Sequence, residues 1–175
     1  DTERIAKTAG VRLIQGPELR TIYLALDQTR DELLFSSVKG KNPLKDVRVR
    51  RAFALAIDAD AIVKRVLRGE GHVTWLMYGP GVNGYDPALD QRPAVDTARA
   101  KALLAEAGYD GFQLTMDCPN DRYVMDEQVC TAIAAMLARI GVKLEVYART
   151  KVKFFADVGY PNYKLSFSLQ GWTPG

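Results

Sequence analysis

From residue 96 onward the chain switches repeatedly between helical and strand periodicity, and that switching constrains the fold more than any other feature. The stretch "TARAKALLAEA" follows a capping Asp96 and is closed by Gly108, and "FQLTMD" then alternates as a strand. Helix "MDEQVCTAIAAMLARI" is closed by Gly141 and leads into strand "VKLEVYA". A short helix near Val152 to Val158 then precedes the strand "KLSFSLQ". Strands separated by helices predict right-handed crossovers and a largely parallel sheet flanked by helices on both faces, an α/β fold. Ligands in such folds sit beyond the carboxyl ends of the strands. Two loops leave from those ends, "CPNDRY" and "GWTPG".

The first half is less regular. "TERIAKTA" reads as a short helix stopped by Gly10, "VRLIQ" as a strand ended by Gly16-Pro17, and "RTIYLAL" as a second strand. After the turn at Asn42-Pro43, Asp46 caps a helix with Val49, Phe53, Ala56 and Ile57 on one face, and Asp58 caps a second helix that ends at Gly69. Gly71 to Pro93 is an irregular excursion with one short strand. A length of 175 residues, 47% of them hydrophobic, suits one domain with one core. No apolar run reaches the roughly 20 residues that cross a bilayer. The start "DTERIAKTAG" lacks a signal-peptide core and reads as the interior of a larger protein.

Several motifs are weaker than they look. Gly79-Pro80-Gly81-Val82-Asn83-Gly84 has dinucleotide spacing, but "YDPALDQRP" follows where a helix should begin, so a Gly-rich turn is the better reading. His72 is the single histidine and offers little to a zinc site or a triad, and no nucleophile with an orienting partner argues for an enzyme. The basic residues Arg48, Arg50, Arg51, Lys64, Arg65 and Arg68 leave a nucleic-acid-binding module as the alternative. The net charge of +3 is spread along the chain, and acidic residues beside the cluster favour a solvated face. Cys118 ends a strand and Cys130 opens the next helix. Two buried thiols are the bland alternative, but the spacing of twelve lets the loop fold back, so a Cys118–Cys130 bridge worth about 3 kcal/mol is expected, which implies an oxidising compartment.

The segments "NPLKDVRVRRAFALAIDADAIVKRVLRGEG", "GYDPAL", "DTARAKALLAEAGY", "LARIGVKLEV" and "GWT" resemble, in that order, the peptide- and nickel-type solute-binding proteins of ABC importers, extracellular family 5. The resemblance implies one lobe, residues 1–175, of a type II periplasmic-binding-protein-like fold: the carboxy-terminal lobe, with its amino-terminal partner lobe absent. It implies a periplasmic location, a peptide or other small-molecule ligand such as a metal chelate, and a membrane permease as partner; the residues themselves call for no cofactor, no resident metal, no catalysis and no nucleic acid. By position, Arg122 matches the arginine that pairs with a ligand carboxylate, with Asn120 and Tyr123 beside it. Trp172 matches the cleft tryptophan, followed by Thr173, and Asp27 lies near the hinge where many relatives carry Asn.

Overall fold

A computed structural model describes every residue except Asp1, Pro17, Tyr160 and Gly175. The expected turn at Gly16-Pro17 and the last residue of "GWTPG" therefore lie partly outside the described residues. The elements are α1 (Thr2–Ala6), β1 (Thr21–Leu26), α2 (Val47–Ala56), α3 (Ala59–Ala61), α4 (Thr97–Glu106), β2 (Phe112–Pro119), α5 (Asp126–Ala138), β3 (Val142–Arg149), α6 (Lys151–Val158) and β4 (Phe167–Trp172). The strands form one sheet in the order β1-β4-β2-β3. β4, β2 and β3 run parallel, and β1 closes one edge antiparallel, pairing Thr21 with Trp172 and Leu26 with Phe167. The first half of β2 is flanked instead by residues 35–37, where Ser37 N donates to Gln113 O at 3.0 Å and Thr115 N to Phe35 O at 3.0 Å.

Caps start the helices as the sequence predicts. The Asp46, Asp58 and Asp96 carboxylates each accept a backbone N–H at 2.8 Å, from Arg48, Ala61 and Arg99. Phe53 on α2 fastens the helical layer to the sheet. Its ring stacks on Phe112 of β2 at 6.4 Å and meets Phe167 of β4 edge-on at 5.8 Å. Val49, Phe53, Ala56 and Ile57 are all buried, with Leu114, Met116, Val142 and Leu169 from the same sheet face.

Four expectations need correction. Residues 11–15 form no strand; without a neighbouring ladder, β-branched content cannot hold one, and Ile14 is exposed. Residues 71–93 contain no strand either. The helix after Asp58 is α-helical only through Ala61 and widens to a π-turn over Ile62–Val66 before Gly69, at φ +84°, ends it. The sheet is covered by helices mainly on one face. On the other, Gln113, Lys143, Glu145 and Tyr147 are exposed, and α6 packs only near the carboxyl end of β2. The basic cluster partly serves the fold: Arg48 grips Asp46 and donates to Glu106 O at 2.6 Å, and Arg50 donates to Leu44 O at 2.8 Å.

The entries to β2 and β3 cross at Gly111 and Gly141. A Cβ on Gly111 would stand 2.5 Å from the carbonyl oxygen of Gly141, and Gly111 sits at φ +94°. Both the contact and the dihedral exclude a side chain. Gly111→Ala is expected to destabilise by roughly 1–3 kcal/mol or more. Gly79→Ala, where a Cβ meets nothing within 4 Å, should change stability by less than about 0.5 kcal/mol. Thermal melts of the two variants compare them directly.

Candidate ligand site at the carboxyl ends of the strands

β2 ends above a buried ion cluster. Arg149, the last residue of β3, donates to Asp117 Oδ1 and to Asp157 Oδ2, both at 2.6 Å, and so ties β2, β3 and α6 together. The Asp117 side chain is only 4% exposed. Burial pushes its carboxyl up to about 6; Arg149 pulls the other way, and the charge of Asp157 adds to the rise. The same arginine's carbonyl accepts from Asn120 N at 3.0 Å, the last ladder bond between β2 and β3, beyond which the chain leaves the sheet for the loop at 120–125. Asp126 shapes that loop: its Oδ2 accepts the backbone N–H of Arg122 and of Tyr123, each at 2.9 Å.

Because β2 turns away after Pro119, the next part of β4 has no strand beside it. The Tyr123 hydroxyl fills that place, accepting the N–H of Gly171 at 2.8 Å. One hydrogen bond thereby joins the two loops that the sequence singled out. A Cβ on Gly171 would lie 2.7 Å from the Tyr123 ring, so the residue at that point must be glycine for the ring to seat. The Arg122 guanidinium lies 5.2 Å from the Tyr123 ring centroid and pairs with no carboxylate among the described residues. Asn120 and Arg122 are exposed, and Tyr123 is half-buried.

Strand alternation divides the expected site residues. Arg122, Tyr123 and Thr173 gather on the side to which Gly171 would point a side chain, where Arg20 Nε donates to Thr173 Oγ1 at 3.3 Å. Trp172 faces the opposite way. It is 38% exposed, and its ring meets Tyr78 edge-on at 5.7 Å. Tyr78 comes from the irregular 71–93 excursion, which also supplies Met77 O as acceptor for Thr21 Oγ1 at 3.0 Å. Nothing local in the sequence marks Tyr78 or Arg20, since both reach the site through tertiary contacts.

Asp27 is occupied by its own turn. Its Oδ1 accepts Thr29 N at 2.9 Å and Thr29 Oγ1 at 2.7 Å, and its Oδ2 pairs with Arg30. Burial alone would raise its pKa, but these hydrogen bonds outweigh it and hold the carboxyl below the usual aspartate range. Asp27 borders a groove of about 550 Å³ with Ala25, Ser168, Gln170 and Tyr163, on the sheet face that Trp172 shares. Cys118 and Cys130 are bonded, with their Cα atoms 6.6 Å apart, and the bridge staples the end of β2 to α5 beneath the loop. Among the described residues no group of three or more His, Cys, Asp or Glu side chains could hold a metal ion, and no helix is long and apolar enough to cross a membrane.

The model of the family described as bacterial extracellular solute-binding proteins, family 5 Middle, matches residues 1–175. The chain belongs to this family. As a family 5 chain it is 30% identical over 155 residues to the dipeptide-binding protein of Escherichia coli strain K12, covering 83% of this chain and 26% of that protein. It is 28% identical over 173 residues to the glutathione-binding protein GsiB of Salmonella typhimurium, covering 97% and 31%. The dipeptide-binding protein of Pseudoalteromonas sp. SM9913, solved with Met-Leu, superposes with a TM-score of 0.81 at 22% identity, over 98% of this chain and 32% of that one. The family 5 chain thus spans about a third or less of the relatives it matches. The family is one of solute-binding proteins of ABC transporters rather than enzymes.

The Asp117 cluster carries a signed pH dependence. A carboxyl whose pKa is about 6 in the folded chain and ordinary in the unfolded one is a burden when ionised. That burden is fully present above pH 6 and is relieved as pH falls toward about 4. Relative to Asp117→Asn, the native protein should therefore gain roughly 2–3 kcal/mol between about pH 7 and pH 4. Denaturant titrations of both proteins across that range measure the difference, and a gap that stays constant with pH counts against the assignment.

Proposed function

We propose that this chain is the carboxy-terminal lobe of a two-lobed, extracytoplasmic substrate-binding component of an ABC importer. It captures a small solute with a free carboxylate, such as an oligopeptide, and hands it to a membrane permease. The observation that carries the reading is the junction of the loops after β2 and β4 through Tyr123 and Gly171, which presents Arg122 without a carboxylate of its own. Its planar fork suits a carboxylate, and a lysine would supply only a point charge. Asn120, Tyr123 and Thr173 stand around it; Trp172 offers an apolar wall from the other side of β4, and Asp27 shapes the border of the groove. The names of the relatives support a peptide-like solute: dipeptides in one case, glutathione in another. Small-molecule sites bury about 70–90% of the ligand, which a single exposed sheet end does not do, so a partner lobe supplies the opposite wall. The contacts that Arg48 and Arg50 make within the fold weigh against the nucleic-acid alternative.

In the full-length protein, Arg122→Ala should weaken a carboxylate-bearing dipeptide about tenfold or more. It should leave the melting transition nearly unchanged, because an exposed arginine without an ion pair contributes little to stability. Calorimetry with the peptide and its carboxyl-amidated form checks both: equal binding before and after the substitution removes the role. The Cys118–Cys130 bridge is expected in exported protein, where denatured, unreduced material should yield no labelled thiol. Reduction should cost roughly 3 kcal/mol in a denaturant melt.

A further inference from the structure

Two guanidinium groups, not one, border the Tyr123 ring. The carbon of the Arg122 guanidinium lies 5.2 Å from the ring centroid, and that of Arg20 lies 5.9 Å from it. Arg20 immediately precedes β1 and faces Thr173, one step beyond the Thr21–Trp172 pair, so the β1/β4 register brings it to the loop. The Tyr123 hydroxyl is fixed on Gly171 N, so the ring that both cations border is held in place.

The acidic groups around this pair are committed elsewhere, with one exception. Asp126 accepts backbone N–H groups of Arg122, Tyr123 and Glu127, and Asp121 accepts the N–H of Lys151 at the start of α6. The exception is Glu18, whose Oε1 sits 2.9 Å from an Arg20 amino nitrogen. The Glu18 side chain is 62% exposed. An ion pair that open to water is worth little, so an incoming carboxylate can replace it at small cost. Glu18 thus occupies the position on Arg20 that a ligand carboxylate would take.

We infer that Arg20 is a second ligand-facing cation, held in reserve by Glu18, and that the preferred solute carries two acidic groups, as in a short peptide with an acidic side chain at its carboxyl end. This rests on the reading of Arg122 given above. One carboxylate can satisfy one guanidinium fork; with Arg20 held only by the exposed Glu18, a solute with a second anionic group can satisfy both forks.

Ala-Glu and Ala-Gln are the probes, since they differ in charge at nearly constant shape. Calorimetry on the full-length protein should show Ala-Glu binding about tenfold or more tighter than Ala-Gln. Arg20→Gln should remove that preference by weakening Ala-Glu alone, and Glu18→Gln, which leaves Arg20 in place, should strengthen Ala-Glu. Equal affinities in the native protein, no binding of either peptide, an Arg20→Gln effect of the same size on both, or no gain from Glu18→Gln overturns the inference. Arg122→Gln separates the two readings. If it spares both peptides, the carboxylate site itself is misplaced; if it weakens both while Arg20→Gln leaves their ratio unchanged, only the role of Arg20 falls.

Discussion

A strand that outlasts its neighbour leaves backbone donors facing nothing, and the end of the sheet that carries the candidate site is organised around one such donor. β2 ends at Pro119, its last ladder bond running from Asn120 N to Arg149 O, while β4 runs on to Trp172. The N–H of Gly171 is then satisfied by the Tyr123 hydroxyl. Leaving a fully buried donor unmade costs about 1–3 kcal/mol, and this half-buried one carries part of that penalty, so the bond favours the loop at 120–125 seated against β4. Gly171 admits the ring, and Arg122 and Arg20 are placed by it.

Beneath that junction the support is of three kinds. The Asp117–Arg149–Asp157 cluster ties the ends of β2 and β3 to α6, the disulfide ties the end of β2 to α5, and Phe53 fastens α2 to β2 and β4. The first two reach a strand within a few residues of the loops, and Phe53 holds the strands at their starts, Phe112 and Phe167 being the first residues of β2 and β4. A charge cluster so deeply buried gives little net stability but is costly to break, which favours a single geometry at the strand ends. The exposed groups of the site, Asn120, Arg122 and Thr173, stand on this rigid base with little of their own side-chain chemistry consumed by folding.

The two faces of β4 divide the surface. On one lie the cations around Tyr123, and on the other Trp172 with Tyr78 and, behind them, the groove bounded by Asp27. Under the proposed reading, a solute at the strand ends would meet charge on one side and aromatic surface on the other, an arrangement that suits peptides, which carry both. Family membership agrees with solute binding.

Much of this was legible in the chain alone. Caps at Asp46, Asp58 and Asp96, stops at Gly108 and Gly141, and alternating apolar positions are local signals, and local signals suffice for elements whose hydrogen bonds close within a few residues. They also indicated which strand ends carry the loops, and the resemblance of "GWT" and its companion segments pointed to the family. Local signals could not show that residues 11–15 lack a partner strand, because strand formation depends on a ladder supplied from elsewhere. Nor could they show that β4 runs on through Trp172, which turns Trp172 and Thr173 to opposite sides, or that Asp27 is sealed by Thr29 and Arg30. Arg20 and Arg122 are about a hundred residues apart in sequence, and only the insertion of β4 between β1 and β2 brings them to one ring. Local sequence determined the caps and most of the elements, those whose hydrogen bonds close nearby; the order of strands in the sheet decided which side chains share a site, because that order is set by packing between distant segments.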